Sequence, residues 1–370
     1  MSFFEQTQGM DWDDTSLSIY SKTTRDVVRA LNKSTLDLED FKALISPAAE
    51  NYLEEMAQKS FVLTRKRFGN IVGLYAPLYL SNLCSNVCTY CGFSMDNRIK
   101  RKVLNEKEIK GELDAIKRMK FDNILLVTGE HEAKVGFEYL AKAISQTKDK
   151  FSYVNMEVQP LEEHEYKGLV NVGLDGVMIY QETYNSRTYS QHHLRGRKAD
   201  YQFRIETPDR LARVGIDKIG LGVLIGLDDW RTDSFYLATH LNYLEKRYWR
   251  TRYSISFPRI RPCESGFQPK SLMTDRQLVQ LICAYRLFNN EVELSLSTRE
   301  SERFRDNAVK LGITNMSAGS KTQPGGYANN SQELEQFSID DSRTPSEVAL
   351  AIERANLVPV WKDWDSAYSG

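Results

Sequence analysis

The sequence has no long apolar run, no excess of charge of either sign and few cysteines. Its 49 lysines and arginines balance 50 aspartates and glutamates, so nothing attracts it to nucleic acid or an anionic membrane. The longest apolar run, residues 219–227, is far shorter than the about 20 residues that span a membrane. The first residues, MSFFEQTQGMDWDD, lack the basic region and apolar core of a signal peptide. We therefore expect a cytoplasmic protein without nucleic-acid or membrane partners.

Three of the five cysteines lie within eight residues, in the stretch CSNVCTYCGF at 84–93. Cytosolic thiols stay reduced, so clustered cysteines indicate metal or redox chemistry rather than disulfides. Cys84, Cys88 and Cys91 are spaced so that one loop can surround a soft metal centre. The other two, Cys263 and Cys283, are expected to have no special role, one in a loop and one on the apolar side of a helix.

The three cysteines do not by themselves decide which metal or cluster is bound. Structural zinc normally takes four protein ligands, and the sequence offers no obvious fourth close by, although His131 could fold over. A catalytic zinc with three ligands and a water remains an alternative. A four-iron cluster held by three cysteines would keep one iron free for an external ligand.

Strand-like and helical segments alternate after an initial helical region. The capped, periodic segments between residues 15 and 69 predict helices. Eight strands are predicted, at 71–80, 123–129, 152–158, 176–180, 218–226, 253–258, 292–297 and 313–319. Alternating strands and helices indicate parallel βα units, and eight of them predict an α/β fold, a (β/α)8 TIM-type barrel. An open doubly wound sheet is the alternative.

We expect three parts in the chain. Residues 1–70 form an N-terminal helical segment, 71–320 the barrel, and 321–370 a C-terminal loop and extension that pack on the barrel. Catalytic residues of such barrels collect at the carboxyl ends of the strands. Polar residues do follow the predicted strands there: the cysteine loop, Gly129 and Glu130, Glu157 and Gln159, Gln181 and Glu182, Arg259, and Ser297 and Arg299.

The stretch CSNVCTYC resembles the CxxxCxxC signature of the radical S-adenosylmethionine (SAM) superfamily. The resemblance implies that Cys84, Cys88 and Cys91 are the catalytic metal ligands, holding a [4Fe-4S] cluster whose free iron binds SAM. It also implies a SAM-binding set. This set comprises Tyr90 against adenine, Gly129 and Glu130 at the amino group, Arg204 at the carboxylate, and, near the ribose, Glu182.

Further segments resemble the aromatic amino-acid lyase branch of that superfamily, namely the tyrosine lyases of thiamine biosynthesis. They include YQETYNSRTYSQHHLRGRKADYQFR, GVLIGLDDWRTD, SISFPRIRPCESG and SLSTRES. The resemblance implies cleavage of the Cα–Cβ bond of L-tyrosine into 2-iminoacetate and p-cresol, while SAM becomes 5'-deoxyadenosine and methionine. Ser297 and Arg299 would bind the tyrosine carboxylate. Implied partners are a thiazole synthase subunit and a flavodoxin- or ferredoxin-type electron donor.

Two alternatives stay open, and one pocket is unassigned. A related radical SAM enzyme could act on tyrosine or tryptophan for another product, and a zinc hydrolase could use the same barrel. A tyrosine-cleaving hydrogenase maturase is disfavoured because no second cysteine cluster follows Cys283. Tyr184, Tyr189 and Tyr253 are candidates for the phenol pocket. His192 and His193 are expected to be solvated loop residues.

Overall fold

The computed structural model describes residues 2–262, 266–328 and 335–362. Cys263, for which no special role was expected, lies outside these residues. The strands of the described residues are β1 (Ile71–Ser81), β2 (Val87–Cys88), β3 (Asn123–Thr128), β4 (Tyr153–Glu157), β5 (Gly176–Met178), β6 (His193–Arg195), β7 (Lys218–Gly222), β8 (Arg252–Ser256), β9 (Glu293–Leu296), β10 (Asn315–Ser317) and β11 (Val358–Val360).

Eight parallel strands form a closed barrel in the order β1, β3, β4, β5, β7, β8, β9, β10. Closure comes from the parallel pairing of β10 with β1, which matches Gly73 with Asn315 and Tyr75 with Ser317. The predicted (β/α)8 barrel is therefore confirmed, and the open sheet is wrong. Helices cover the barrel strands on the outside, and side chains fill the inside. Both faces of a strand are therefore buried, as in β7, where all five residues are buried.

The α-helices in the described part of the chain are α1 (Phe3–Thr7), α2 (Trp12–Tyr20), α3 (Thr24–Leu31), α4 (Leu38–Ile45), α5 (Leu53–Phe68), α6 (Glu106–Arg118), α7 (Glu132–Val135), α8 (Phe137–Lys148), α9 (Glu163–Asn171), α10 (Ser186–His192), α11 (Tyr201–Ile205), α12 (Thr207–Arg213), α13 (Trp230–Arg247), α14 (Asp275–Phe288), α15 (Glu302–Ala308) and α16 (Pro345–Arg354). Many begin at the residues that sequence rules favour. Asn105 and Glu108, for example, form a capping box at the start of α6. None of these helices is long and apolar enough to cross a membrane.

The first five helices precede the barrel and pack on its outer layer. Helices α4 and α5 lie against α14, and α2 and α4 lie against α13. Strand β11 extends the sheet beside the first residues of β1, where Ile71 pairs with Val358. The boundaries of the three predicted parts of the chain remain a prediction.

Three strands were not predicted. Strand β11 is one of them, and the antiparallel pair β2 and β6 is the other two. The pair joins the cysteine loop to residues about a hundred positions later, with Val87 opposite Arg195 and Cys88 opposite His193. It lies on the rim that carries the functional residues.

Candidate active site at the carboxyl ends of the strands

The three clustered cysteines line one cavity at the carboxyl end of the barrel. They belong to the loop that leaves β1, and Cys88 is buried whereas Cys84 and Cys91 are half-buried. The predicted residues Tyr90, Gly129, Glu130, Glu182, Arg204 and Arg299 line the same cavity. The fold thus brings together residues that are as much as 215 positions apart in the sequence.

A single arginine organises the cysteine loop. Arg101 donates hydrogen bonds to four carbonyl oxygens, those of Asn82 (2.9 Å), Phe93 (2.7 Å), Ser94 (2.6 Å) and Asn97 (3.1 Å). The Ser94 hydroxyl also accepts a hydrogen bond from the backbone N–H of Cys88, at 3.1 Å. The loop conformation is therefore fixed by the protein, as expected of a site that must hold its ligands in place.

Gly129 allows the cysteine loop to lie directly on the end of β3. A Cβ atom at this position would stand 2.4 Å from the carbonyl oxygen of Leu83 and 3.3 Å from the Cβ of Cys84. The neighbouring Glu130 carbonyl accepts hydrogen bonds from the backbone N–H and the hydroxyl of Ser85. Any larger residue at position 129 would push the loop away.

Burial keeps the three thiols neutral unless a cation is present. It raises the pKa of Cys84 and of Cys88, and it raises the pKa of Cys91 to about 11, with the nearby Cys84 adding to the effect. Thiolates at neutral pH therefore need a metal centre, which suits cysteines that serve as ligands. No His, Cys, Asp or Glu group of three or more within the described residues is arranged around a single ion. This donor set fits an iron–sulfur cluster, which spreads its ligands over several irons.

A network of opposite charges lies beside the thiols. Glu130 accepts hydrogen bonds from the Asn86 amide (2.7 Å) and from Arg204 (3.2 Å). Glu182 accepts one from Lys198 at 2.7 Å and lies 3.5 Å from Arg204. Burial alone would raise the pKa of Glu182, but Lys198 and then Arg204 outweigh it, so this pKa is lowered. The site therefore presents an ionised Glu182 beside two cations.

Glu182 has an unusual backbone conformation. Its φ of 69° lies in the left-handed region, which residues with a Cβ rarely adopt. Its carbonyl accepts a hydrogen bond from the N–H of Leu224, at 2.8 Å. Such outliers persist only where the surroundings enforce them, and they concentrate at functional sites.

The strand pair β2–β6 brings two histidines to the cysteine loop. The Tyr90 hydroxyl lies 2.7 Å from Nε2 of His193, and Thr89 lies 2.8 Å from Nδ1 of His192. His193 is buried, and burial together with the nearby Lys198 lowers its pKa to about 2. His193 is therefore a neutral ring that fixes Tyr90, and the expectation of a solvated residue was wrong for it.

A second cavity adjoins the first and contains both predicted substrate residues, Ser297 and Arg299. The two cavities share a wall formed by Val127, Glu157, Tyr180, Pro258, Arg299 and Phe337. The Arg299 guanidinium lies 3.4 Å from the centre of the Phe337 ring, and burial lowers its pKa. A cation therefore faces a partly apolar space close to the thiols.

Comparison with known proteins accounts for this arrangement. Residues 78–236 match the Radical SAM superfamily model, and residues 256–358 match the Biotin and Thiamin Synthesis associated domain. The chain is 59% identical over 366 residues to the 2-iminoacetate synthase of Escherichia coli (strain K12), covering 99% of this chain and 97% of that one. The chain belongs to the 2-iminoacetate synthase family.

Other relatives agree with membership of the 2-iminoacetate synthase family. The enzyme of that name from Salmonella typhimurium is 57% identical, over 99% of this chain and 97% of its own. A crystal structure of HydG, a maturase of the [FeFe]-hydrogenase, superposes with a TM-score of 0.89 at 28% identity, covering 95% of this chain and 80% of HydG. The predicted radical SAM lyase of the aromatic amino-acid branch is thus confirmed, and the zinc-hydrolase alternative is left without support.

The tyrosines suggested for the phenol pocket lie elsewhere. Neither cavity is lined by Tyr184, Tyr189 or Tyr253. Tyr184 hydrogen-bonds His240 in the core, Tyr189 packs on His193, and Tyr253 bonds backbone carbonyls of α13 and Tyr248. The tyrosines that do line the second cavity are Tyr75, Tyr79 and Tyr180.

Sequence reasoning missed several residues that line the first cavity. They are Asn86, Lys198, Gln336 and Phe337. Lys198 lies within the lyase segment quoted above, and this position was a signal that could have identified it. Glu157 had been noted only as a polar residue at the end of a predicted strand. Gln336 carried no signal, yet it accepts a hydrogen bond from Tyr79 at 2.7 Å and lies 3.8 Å from the Cys91 sulfur.

Proposed function

We propose that this protein cleaves the Cα–Cβ bond of L-tyrosine by a radical reaction, giving 2-iminoacetate and p-cresol for thiamine thiazole synthesis. The observation that carries the proposal is the shared wall between two cavities. One cavity holds three neutral thiols beside a network of charges, and the other holds an arginine that has no carboxylate partner among the described residues. An amino acid bound at Arg299 would therefore face a cofactor bound at the thiols.

Cys84, Cys88 and Cys91 would hold a [4Fe-4S] cluster, and SAM would bind to it. When bound, the cluster would pass one electron from a reductant to SAM, and the chemistry supplied would be removal of a hydrogen atom from the amino group of tyrosine, with SAM converted to 5'-deoxyadenosine and methionine. The neutral thiols support this assignment because they become thiolates only beside a positive centre. Arg101 keeps their loop in shape before the cluster arrives.

The charged network would hold the amino-acid end of SAM. Glu130 would accept a hydrogen bond from its ammonium, and Arg204 would donate to its carboxylate, since the two side chains already lie 3.2 Å apart as acid and base. Gly129 supplies the close backbone approach. Glu182, held by Lys198, would accept from the ribose hydroxyls, and Tyr90, fixed by His193, would pack on adenine.

Arg299 and Ser297 would bind the carboxylate of tyrosine. A planar guanidinium binds a carboxylate through two parallel hydrogen bonds, and Ser297 lies on the same edge. Phe337 covers one face of the guanidinium and helps to exclude water. A dry cavity strengthens the charge pair and protects a reactive intermediate from side reactions.

The proposal includes the partners that the family implies. We expect a thiazole synthase subunit to receive the 2-iminoacetate, a flavodoxin- or ferredoxin-type protein to donate electrons, and the reaction to take place in the cytoplasm. Reduced thiols, on which the cluster depends, support that location.

The test is anaerobic turnover of the reconstituted protein. With SAM, reductant and L-tyrosine we expect p-cresol and 5'-deoxyadenosine in equal amounts, and 2-iminoacetate recovered as glyoxylate after hydrolysis. Tryptophan replaces tyrosine in a parallel reaction. Cleavage of tryptophan alone would transfer the protein to another branch, and absence of 5'-deoxyadenosine from a protein with a full cluster would refute the proposal.

A further inference from the structure

Two opposite charges in the wall between the cavities have no ion-pair partner in the described part of the chain. The side chain of Glu157, at the end of β4, makes no hydrogen bond or ion pair with any other described residue, although it lines both cavities. Arg299 donates to the carbonyl of Arg259 at 3.5 Å and packs on Phe337, but it meets no carboxylate within 4.0 Å. Glu157 is half-buried, and a carboxylate that is largely withdrawn from water without a partner is costly, which points to a partner that arrives with a ligand.

The neighbouring cations already have carboxylate partners. Lys198 bonds Glu182, and Arg204 bonds Glu130 and Glu182. Beyond the shared wall, Arg259 and Arg261 both pair with Glu300. Within residues 2–262, 266–328 and 335–362, the cation left to balance Glu157 is Arg299, and the two do not touch.

We propose that Glu157 binds the α-ammonium group of the amino-acid substrate while Arg299 binds its carboxylate. The two side chains together would bind a zwitterion. They line the same wall, but they are too far apart to form an ion pair with each other. The inference rests on the proposed function and adds a specificity residue to it. It predicts that the cavity accepts α-amino acids and discriminates against acids of the same shape that lack the amino group.

Electrostatics supports the arrangement. Burial raises the pKa of Glu157 to about 7, although Arg299 lowers it. The other charged or titratable groups that act on it or respond to it are Glu182 and Tyr180 beyond β5, Lys198 and Arg204 from the segment after β6, and Tyr75 and Tyr79 on β1. An incoming ammonium supplies the positive charge that this carboxylate lacks, so binding favours its ionised form.

The experiment compares two ligands on the wild-type protein and three variants. L-tyrosine and 3-(4-hydroxyphenyl)propanoate differ only in the amino group. Their dissociation constants are measured by anaerobic calorimetry with cluster-loaded protein and SAM but no reductant, so that no turnover occurs. The variants are Glu157→Gln, Glu157→Asp as a partial rescue, and Glu138→Gln as a control that removes an exposed carboxylate elsewhere. Iron content and thermal unfolding establish that each variant is folded and loaded.

We expect Glu157→Gln to weaken tyrosine binding at least tenfold, about 1.4 kcal/mol, and to leave the desamino acid unaffected or bound more tightly. The Asp variant should recover part of the loss, and Glu138→Gln should behave as wild type. Between about pH 8 and about pH 6, wild-type affinity for tyrosine should fall as Glu157 takes up a proton, and this slope should be absent in Glu157→Gln.

Two outcomes would overturn the inference, and they differ from failure of the proposed function. An equal loss for both ligands would make Glu157 a structural residue, and unchanged tyrosine affinity in the Gln variant would remove it from the substrate site. In either case wild-type protein would still bind and cleave tyrosine. Wild-type protein that neither binds nor cleaves tyrosine would instead refute the proposed function and this inference with it.

Discussion

Replacing Arg299 with alanine is the most direct test of the substrate site. The guanidinium lies in the wall shared by the two cavities, and in the described residues it has no carboxylate partner that would compete with a substrate. Burial lowers its pKa, which means that water solvates it poorly before the ligand binds. A substrate carboxylate would therefore gain a partner that is already half-buried and held against Phe337, with little cost of rearrangement.

The expected magnitude follows from this geometry. Removing one member of a buried, hydrogen-bonded charge pair typically costs about 2–5 kcal/mol. Because no carboxylate of the described residues has to be displaced from Arg299, we expect a loss near the middle of that range, at least about 100-fold in tyrosine affinity. Arg299→Lys should recover only part of it, since an ammonium cannot form the two parallel hydrogen bonds of a guanidinium.

The assay is tyrosine affinity and p-cresol yield, measured beside iron content and SAM affinity. The last two should stay near wild type, because Arg299 contacts neither the thiols nor the charged network of Glu130, Glu182, Lys198 and Arg204. Wild-type tyrosine affinity in a fully loaded Arg299→Ala protein would refute the reasoning. Arg261, which lines the first cavity, and Arg259 would then be the next candidates, although both are paired with Glu300.

Three further predictions concern the cofactor end of the site. Cys88→Ala should abolish reductive cleavage of SAM, whereas the matched core substitution Cys283→Ala should leave the cluster absorbance intact; an active Cys88→Ala protein would contradict the cluster assignment. Glu130→Gln should keep its iron but bind SAM at least several-fold more weakly, because a charge-assisted hydrogen bond is lost. Equilibrium dialysis measures the SAM affinity. A lower iron content with unchanged SAM affinity per cluster would instead make Glu130 a structural residue. Gly129→Ala places a methyl group 2.4 Å from the Leu83 carbonyl oxygen, so we expect about 1–3 kcal/mol of strain and lower iron content after reconstitution; normal iron content would show that the loop can move aside.

The barrel was predictable because its signal is local. Most of the eight strands read as short runs rich in apolar and β-branched residues, and six of the predicted strands are followed by polar residues where the chain reaches the rim. The pairing of β2 with β6 was not predictable in this way. Strand β2 has two residues and β6 has three, and about a hundred positions separate them in the sequence. Neither segment has a strand pattern of its own.

The residues of the site also divide into those with a local sequence signal and those without one. Cys84, Cys88 and Cys91 were predicted as ligands because their spacing is a property of one loop. Lys198 escaped notice because its role depends on reaching Glu182, 2.7 Å away, once β6 has paired with the cysteine loop. The pocket tyrosines were misassigned because sequence position does not tell which face of a strand, or which layer of the barrel, a tyrosine occupies.

The fold class, the family and the cysteine motif could be predicted from the chain alone, since strand patterns and ligand spacing are properties of neighbouring residues. The pairing of the charges became visible only in the folded molecule. Closure of β10 on β1 brings the ends of all the strands to one rim, where acids and bases from distant segments compete for one another. Most of them find partners there, whereas the side chains of Glu157 and Arg299 have no ion-pair partner in the part of the chain that the structure describes. Whether a charge is satisfied depends on distances of a few ångströms across the rim, because a buried ion pair forms only at contact distance, and no local pattern encodes those distances.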